Sequence, residues 1–178
     1  MPVVISLLRG VNVGGHNLIR MEALRAVYES LGLQDSQTYV QSGNVVLSSD
    51  DPPEELERRS ERMIAKRFGF DVPVIARTRD ELAAVVERNP LADVARNPKR
   101  YQVSFLGGEL DDSLVEQLAA LAGRGERLVA DGRELYAWHP DGVARSKLWA
   151  KLAGAGLGVK ATARNWTTVT ALLAMADG

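Results

Sequence analysis

The segments VPVIARTRDELAAVV at residues 72–86 and VKATARNWTTVTALL at residues 159–173 align residue for residue, sharing Val, Ala and Arg at matched positions. Each opens as a short β-rich run and continues with helical spacing, so each reads as strand then helix. Working outward from them gives a repeated order. Before the first copy lie VVISLLRG, a short apolar run bounded by glycine and too short for a helix, and MEALRAVYESLG, with Met21, Leu24, Val27, Tyr28 and Leu31 at helical spacing and Gly32 as its stop. TYVQSGNVVLSS follows, two β-rich runs flanking Ser-Gly, which predicts a hairpin. PPEELERRSERMIAKRFGF then opens with prolines and acids, as a helix N-terminus does. In the first copy itself, Thr78 and Glu81 form a capping box for the helix that starts there and ends before Asn89-Pro90.

From about residue 99 the same order recurs: RYQVSFLGG as strand, DDSLVEQLAALAG as helix, ERLVADGRELYAW as a hairpin around Asp-Gly, SKLWAKLAG as helix, and the second copy as strand and helix. The matching order is a stronger argument than the thin identity. It predicts an α+β protein of two tandem ferredoxin-like βαββαβα subdomains with mainly antiparallel sheets, over residues 1–90 and 99–178, joined by a linker at 91–98.

That topology has a consequence for chemistry. The first and second strands run parallel, so the loop after the first strand and the β2–β3 hairpin end at the same sheet edge. Arg9, Asn12, Gly14, Gly15, His16 and Asn17 are thereby expected to face Gln41, Ser42, Gly43 and Asn44. Such an edge is polar and glycine-rich, with backbone N–H groups able to receive an anion and Arg9 able to fork onto phosphate or carboxylate. The structural alternative stands beside it: glycines supply positive φ, and Asn12 and Asn44 cap their own turns.

Composition narrows the partners. The 178 residues carry 22 Lys plus Arg against 23 Asp plus Glu, so there is no global basic field to gather nucleic acid or an anionic membrane. There is no cysteine, which excludes disulfides and thiolate chemistry and suits a reducing, cytoplasmic setting. No basic region precedes an apolar stretch near Met1, and no window approaches ~18 apolar residues, so neither export nor membrane anchoring is expected. His16 and His139 lack further ligands at metal-site spacing, so no metal is expected. No cofactor is expected either. Gly10 to Gly15 has P-loop glycine spacing, but His16-Asn17 stand where Lys and Ser or Thr are required, and GAGLG at 154–158 follows a helix rather than the strand of a dinucleotide site.

An RNA platform is also disfavoured. Tyr101, Val103 and Phe105 alternate with Gln102 and Ser104, so the aromatic face is the apolar face and is expected to lie under helices. One charge asymmetry remains: Gly142 to Ala176 holds no acid but carries Arg145, Lys147, Lys151, Lys160 and Arg164. Arg145, Lys147 and Lys151 form a secondary candidate patch for a small anion. Asn165 is expected as an N-cap and Trp166 as a packing plug.

LLRGVNVGGHN followed by Met21, YVQSGNVVL and the terminal ARNWTTV resemble the recurring blocks of the bacterial family known as domain of unknown function 1697. The resemblance runs from Val4 to about Leu173. It implies a compact α+β protein of two similar subdomains and brings no established reaction, substrate or catalytic residue. Family members often carry lysine where this chain has His16, which suits an anion-binding loop better than a histidine base. The leading expectation is therefore a binding protein for a small anionic molecule, such as a nucleotide or phosphorylated metabolite. Its alternatives are an enzyme using Arg9 with His16 or Ser42, and a protein or RNA interaction module using the basic C-terminal segment.

Overall fold

A computed structural model describes residues 1–154 and 156–178. Among these, fifteen short elements run in the order β1 (Val3–Leu8), α1 (Met21–Ser30), β2 (Gln34–Tyr39), β3 (Asn44–Ser48), α2 (Pro53–Phe68), β4 (Val74–Thr78), α3 (Arg79–Arg88), a 3-10 turn (Pro98–Arg100), β5 (Tyr101–Leu106), α4 (Asp112–Ala120), β6 (Arg127–Asp131), β7 (Glu134–Trp138), α5 (Lys147–Leu152), β8 (Ala161–Asn165) and α6 (Trp166–Asp177). The strands form two four-stranded sheets, ordered β2-β3-β1-β4 and β6-β7-β5-β8, with every neighbouring pair antiparallel. The chain divides into two compact units, Met1–Ala84 with Ala171–Gly178, and Val85–Thr170.

In the first unit β1 is a continuous apolar run because both of its faces are covered: Val4, Ile5, Ser6, Leu7 and Leu8 are all buried. One face carries Val4 and Leu8 with Val45, Leu47, Val74 and Ala76 against Met21, Leu24, Val27 and Tyr28 of α1 and Leu56 and Ile64 of α2. Ser6 sits on this face too, and its hydroxyl lies 2.6 Å from that of Tyr28. Burial raises the Tyr28 hydroxyl above its ordinary pKa, against the hydrogen bond from Ser6. The capping box is present in both directions: Glu81 N–H donates to Thr78 Oγ1 at 3.1 Å and Thr78 N–H to Glu81 Oε1 at 2.9 Å. Within the same unit Arg79 reaches the Asp177 carboxylate at 2.7 Å, which ties the end of α6 to the start of α3.

In the second unit Leu106, Leu135, Ala137 and Ala161 pack against Leu118 of α4 and Leu148 and Leu152 of α5. The aromatic residues alternate with that set, so Tyr101, Phe105 and Tyr136 lie on the opposite face, away from α4 and α5. They are buried there nonetheless. Trp166 stacks on Tyr101 with ring centroids 4.8 Å apart, the Tyr136 hydroxyl donates to the Val85 carbonyl at 2.8 Å, and that of Tyr101 to Asn89 Oδ1 at 2.9 Å. Rings closed off in this way cannot stack RNA bases. Asn165 caps α6 as expected, its Oδ1 accepting from Thr168 N–H at 2.9 Å.

The arginines matched in the sequence alignment also have a structural meaning. Arg77 stands opposite Ile5 and Arg164 opposite Val103, each on the outer strand beside its sheet's central strand, and both are buried. Arg77 donates to the Ala76 carbonyl, and Arg164 to the Ala163 carbonyl and Thr162 Oγ1. Burial pushes the Arg164 guanidinium down to about 10. Arg164, counted among the basic residues of the Gly142 to Ala176 stretch, is therefore buried rather than solvated. In the GAGLG run, Ala155 lies outside the described residues.

Candidate functional site

The loop after β1 and the β2–β3 turn do meet. Leu8 N–H donates to the Gly43 carbonyl at 2.9 Å, and the Asn12 side-chain amide donates to the Gln41 carbonyl at 2.6 Å. Asn12 is the organising residue of the loop. It adopts φ 58, donates also to the Ile19 carbonyl at 2.9 Å, and accepts from Ile19 N–H at 2.9 Å. Buried Val11 and Ile19 anchor the two ends of the loop in the core. Between them Val13 and His16 pair as an isolated bridge around Gly14 (φ 58) and Gly15 (φ 77), the two consecutive positive φ values of a tight reverse turn. Both glycines thus serve the turn. Helix α1 starts only at Met21, so their amides are not continuous with the helix start, as a phosphate cradle of the P-loop kind requires. His16 is exposed, and Asn17 holds φ 49 while its carbonyl accepts from Asn12 N–H.

The hairpin side is equally committed. Asn44 is fully buried, and its amide donates to the Tyr39 carbonyl at 3.0 Å and to Ser42 Oγ at 2.9 Å. Gly43 has φ 81, and a Cβ there would stand 2.7 Å from Leu8 Cβ, so a glycine is required by both conformation and space. Among the sequence-predicted residues, Asn12, Ser42 and Asn44 hold the junction together, Gly14 and Gly15 turn the loop, and Arg9 is half-buried with its backbone N–H on the Pro73 carbonyl.

A cleft of about 530 Å³ opens beside this junction, between the start of α1 and the end of β2, lined by Arg20, Met21, Glu22, Arg25, Thr38, Val40 and Gln41. Gln41 alone of the predicted site residues borders it. Arg25 Nη1 donates to Thr38 Oγ1 at 2.7 Å, which fixes the guanidinium over the cleft wall. Arg20 is exposed and forms no ion pair among the described residues. The N-cap residue of α1, Arg20, makes no side-chain capping bond. Sequence reasoning missed both arginines because Arg25 lies on the polar side of a helix read for its apolar stripe and Arg20 immediately precedes that helix. The signal was available in IRMEALR, where Arg20 and Arg25 fall between the buried positions Met21 and Leu24 and the exposed flank.

The second unit holds a polar centre that also escaped the sequence. Glu126 accepts from His139 Nδ1 at 2.5 Å, from Ser146 Oγ at 2.6 Å and from Gly123 N–H at 2.8 Å, while Ser146 Oγ accepts from Trp149 N–H at 3.0 Å as the cap of α5. His139 is fully buried, its ring edge-on to Trp149 at 5.8 Å, and its Nε2 makes no hydrogen bond. Burial acts to raise the Glu126 pKa, but the hydrogen bonds from Ser146, Gly123 and His139 outweigh it and hold the carboxyl below its ordinary value. A Ser, His and acid are present, yet Ser146 and His139 both address the carboxylate and the serine is used as a helix cap, so the order of a nucleophilic triad is absent. The signal for this centre was the hairpin register. Arg127 pairs with Trp138, and one step further outward places Glu126 opposite His139.

The secondary basic patch is divided. Arg145 lines a second cleft of about 550 Å³ with Gly123, Arg124, Glu126, Asp141, Gly142, Ala144 and Ser146, a lining of both signs, while Lys147 and Lys151 are exposed on α5 outside that lining. No group of three or more His, Cys, Asp or Glu positioned to hold a metal occurs among the described residues. Nor is any described helix long and apolar enough to cross a membrane.

A model of the family described as "Protein of unknown function (DUF1697)" matches residues 1–136. The blocks at the opening loop and the hairpin fall inside that match and ARNWTTV falls beyond it. The chain is similar in structure to a conserved bacterial protein, SP0830 from Streptococcus pneumoniae, at 24% identity and a TM-score of 0.79, covering 98% of each chain. No curated protein matches it.

Proposed function

The chain belongs to the DUF1697 family of proteins of unknown function, and from that premise we propose that it binds a small anionic molecule in the cleft between the start of α1 and the end of β2. The observation that carries this reading is the pair Arg20 and Arg25 on one cleft of about 530 Å³, with Thr38 holding Arg25 in place. A guanidinium held by a neutral hydroxyl keeps its full charge for a ligand, and its remaining donors suit the forked oxygens of phosphate or carboxylate. The uncapped first turn of α1 adds backbone donors to the same region. In this reading Asn12, Ser42 and Asn44 hold the loop and the turn together beside the cleft, Gly14, Gly15, His16 and Asn17 form the loop's turn, Arg9 lies at the loop base, and Gln41 contacts the ligand.

We read the two units as tandem ferredoxin-like repeats, a reading supported by their common strand order and by the matched buried arginines. Binding is favoured over turnover because nothing lining the cleft resembles a positioned base and nucleophile: its titratable residues are Arg20, Glu22 and Arg25.

The test is a thermal-shift series with inorganic phosphate, pyrophosphate, nucleotides and sugar phosphates on the parent protein and on Arg20→Ala/Arg25→Ala. A bound probe at a hundred times its Kd adds about 2.7 kcal/mol, and the double variant is expected to lose this gain at unchanged intrinsic stability. Absence of any stabilisation, or a shift that survives the double substitution, removes the cleft as the site.

A further inference from the structure

Five non-glycine residues adopt positive φ among the described residues. Four are the Asn or Asp residues that tolerate it, Asn12, Asn17, Asp35 and Asn89, and the fifth is Val40 at φ 50. A β-branched side chain is the worst suited to this region, because both γ-carbons crowd the backbone. Burial does not offset the strain, since the Val40 side chain is 54% exposed. Glycine or asparagine at the same turn position is less strained, so the folded chain by itself has no use for valine there.

The surroundings supply the use. Val40 lines the cleft that holds Arg20 and Arg25. The loop joined to the turn by the bond from Asn12 to the Gln41 carbonyl carries two further exposed aliphatic side chains, Val13 at 61% and Leu18 at 69%. Among the described residues the exposed large hydrophobics are Met1, Val13, Leu18, Val40 and Leu121, so three of them stand on these two joined segments, with Val40 itself on the cleft of Arg20 and Arg25. Cations and the exposed aliphatic Val40 on one cleft complement a ligand that has both an anionic head and a hydrocarbon part.

Building on the anion reading above, we infer that the cleft selects an amphiphilic anion, a phosphate or carboxylate bearing an alkyl chain or ring, and that Val40 is the specificity-determining contact for its apolar part. The strained valine is retained for the ligand rather than for the fold. A concave cleft suits a single soluble molecule better than a lipid surface, so the occupant is the free amphiphile.

The experiment is calorimetric titration of the full chain with hexyl phosphate and with inorganic phosphate, alongside thermal melts, for the parent protein, Val40→Gly, Val40→Thr and Arg20→Ala/Arg25→Ala. The parent is expected to bind hexyl phosphate about tenfold more tightly than inorganic phosphate. Val40→Gly is expected to raise the melting temperature while abolishing that preference and sparing phosphate affinity. Val40→Thr keeps the β-branching, so it is expected to lose the preference without any gain in stability. Should phosphate bind through Arg20 and Arg25 with hexyl phosphate no tighter, or should Val40→Gly keep the preference, the amphiphile inference fails and the anion reading stands. If neither compound binds, both fall. Binding to vesicles of phosphatidic acid in phosphatidylcholine without binding of monomeric hexyl phosphate overturns the inference in favour of a membrane surface.

Discussion

Between its first strand and first helix the N-terminal sheet carries residues 9–20, whereas the corresponding connection of the C-terminal sheet is 107–111. The neighbouring hairpins differ in the same sense, with residues 40–43 joining β2 to β3 and only 132–133 joining β6 to β7. Strand order is common to both sheets, so the scaffold does not require the longer pair. The extra chain at one end of one sheet is held by Asn12 and Asn44 and edged with exposed Val13, Leu18 and Val40, and it adjoins the cleft proposed above as a binding site. In the second unit the polar investment lies elsewhere, in buried His139 with half-buried Glu126 and Ser146, just outside the far ends of β6 and β7. One polar cluster stabilises a surface loop, and the other ties a buried histidine to the wall of a cleft.

That contrast orders the expected effects of mutation. The largest belongs to the core centre. Glu126→Ala leaves fully buried His139, Ser146 and the Gly123 amide without their common acceptor, and denaturant unfolding is expected to show a loss of about 4 kcal/mol. The same carboxyl sets an acid limit. Its folded pKa lies below the ordinary carboxylate value, so the unfolded chain takes up the proton first as pH falls, and stability rises with pH through this window. The contribution is complete above about pH 4.5 and declines below it. Melting curves between pH 3 and 6 are expected to converge for the parent and Glu126→Gln, on the order of one carboxyl's linkage; curves that stay parallel would sink this account.

The two hairpins allow a direct test of the elaborated end. Gly43→Ala meets Leu8 at 2.7 Å as well as a positive φ, while Gly132→Ala has φ 58 but open space around its Cβ. A cost of about 3 kcal/mol is expected for the first, from left-handed strain plus a clash with a core strand, against about 1 kcal/mol for the second. Equal melting temperatures for the two variants would show that the longer turn is no more tightly built than the shorter. An effect between those two is expected at the loop itself. Asn12→Ala removes two donated bonds and one accepted bond on a half-exposed site, which costs about 2 kcal/mol. Amide exchange at Ile19 should accelerate well beyond the global change, because its N–H loses its acceptor.

Much of this protein was legible before its structure. The repeated order of strands and helices followed from short apolar runs alternating with 3.6-residue stripes and from glycine and proline punctuation, all of which depend on near neighbours. The Thr78 and Glu81 capping box and the Asn165 cap, three-residue relationships, came through unchanged. So did the meeting of the opening loop with the β2–β3 turn, because parallel running of the first two strands puts their far ends together.

What the chain could not declare alone was how each polar group would be used. Asn12, Asn44 and the paired glycines have the residue types of a ligand loop, and they are committed to the loop's own bonds and turn. Arg20 and Arg25 have the appearance of ordinary solvated helix charge, and they share a cleft with Val40. Arg164 belongs to a basic stretch in sequence and is buried in the fold. Helices, strands and caps arise from periodicity and contacts a few residues apart, so sequence by itself determines them. Whether an amide, a guanidinium or a carboxylate is free for a ligand depends on which distant backbone or side chain arrives beside it, and only the tertiary structure decides that.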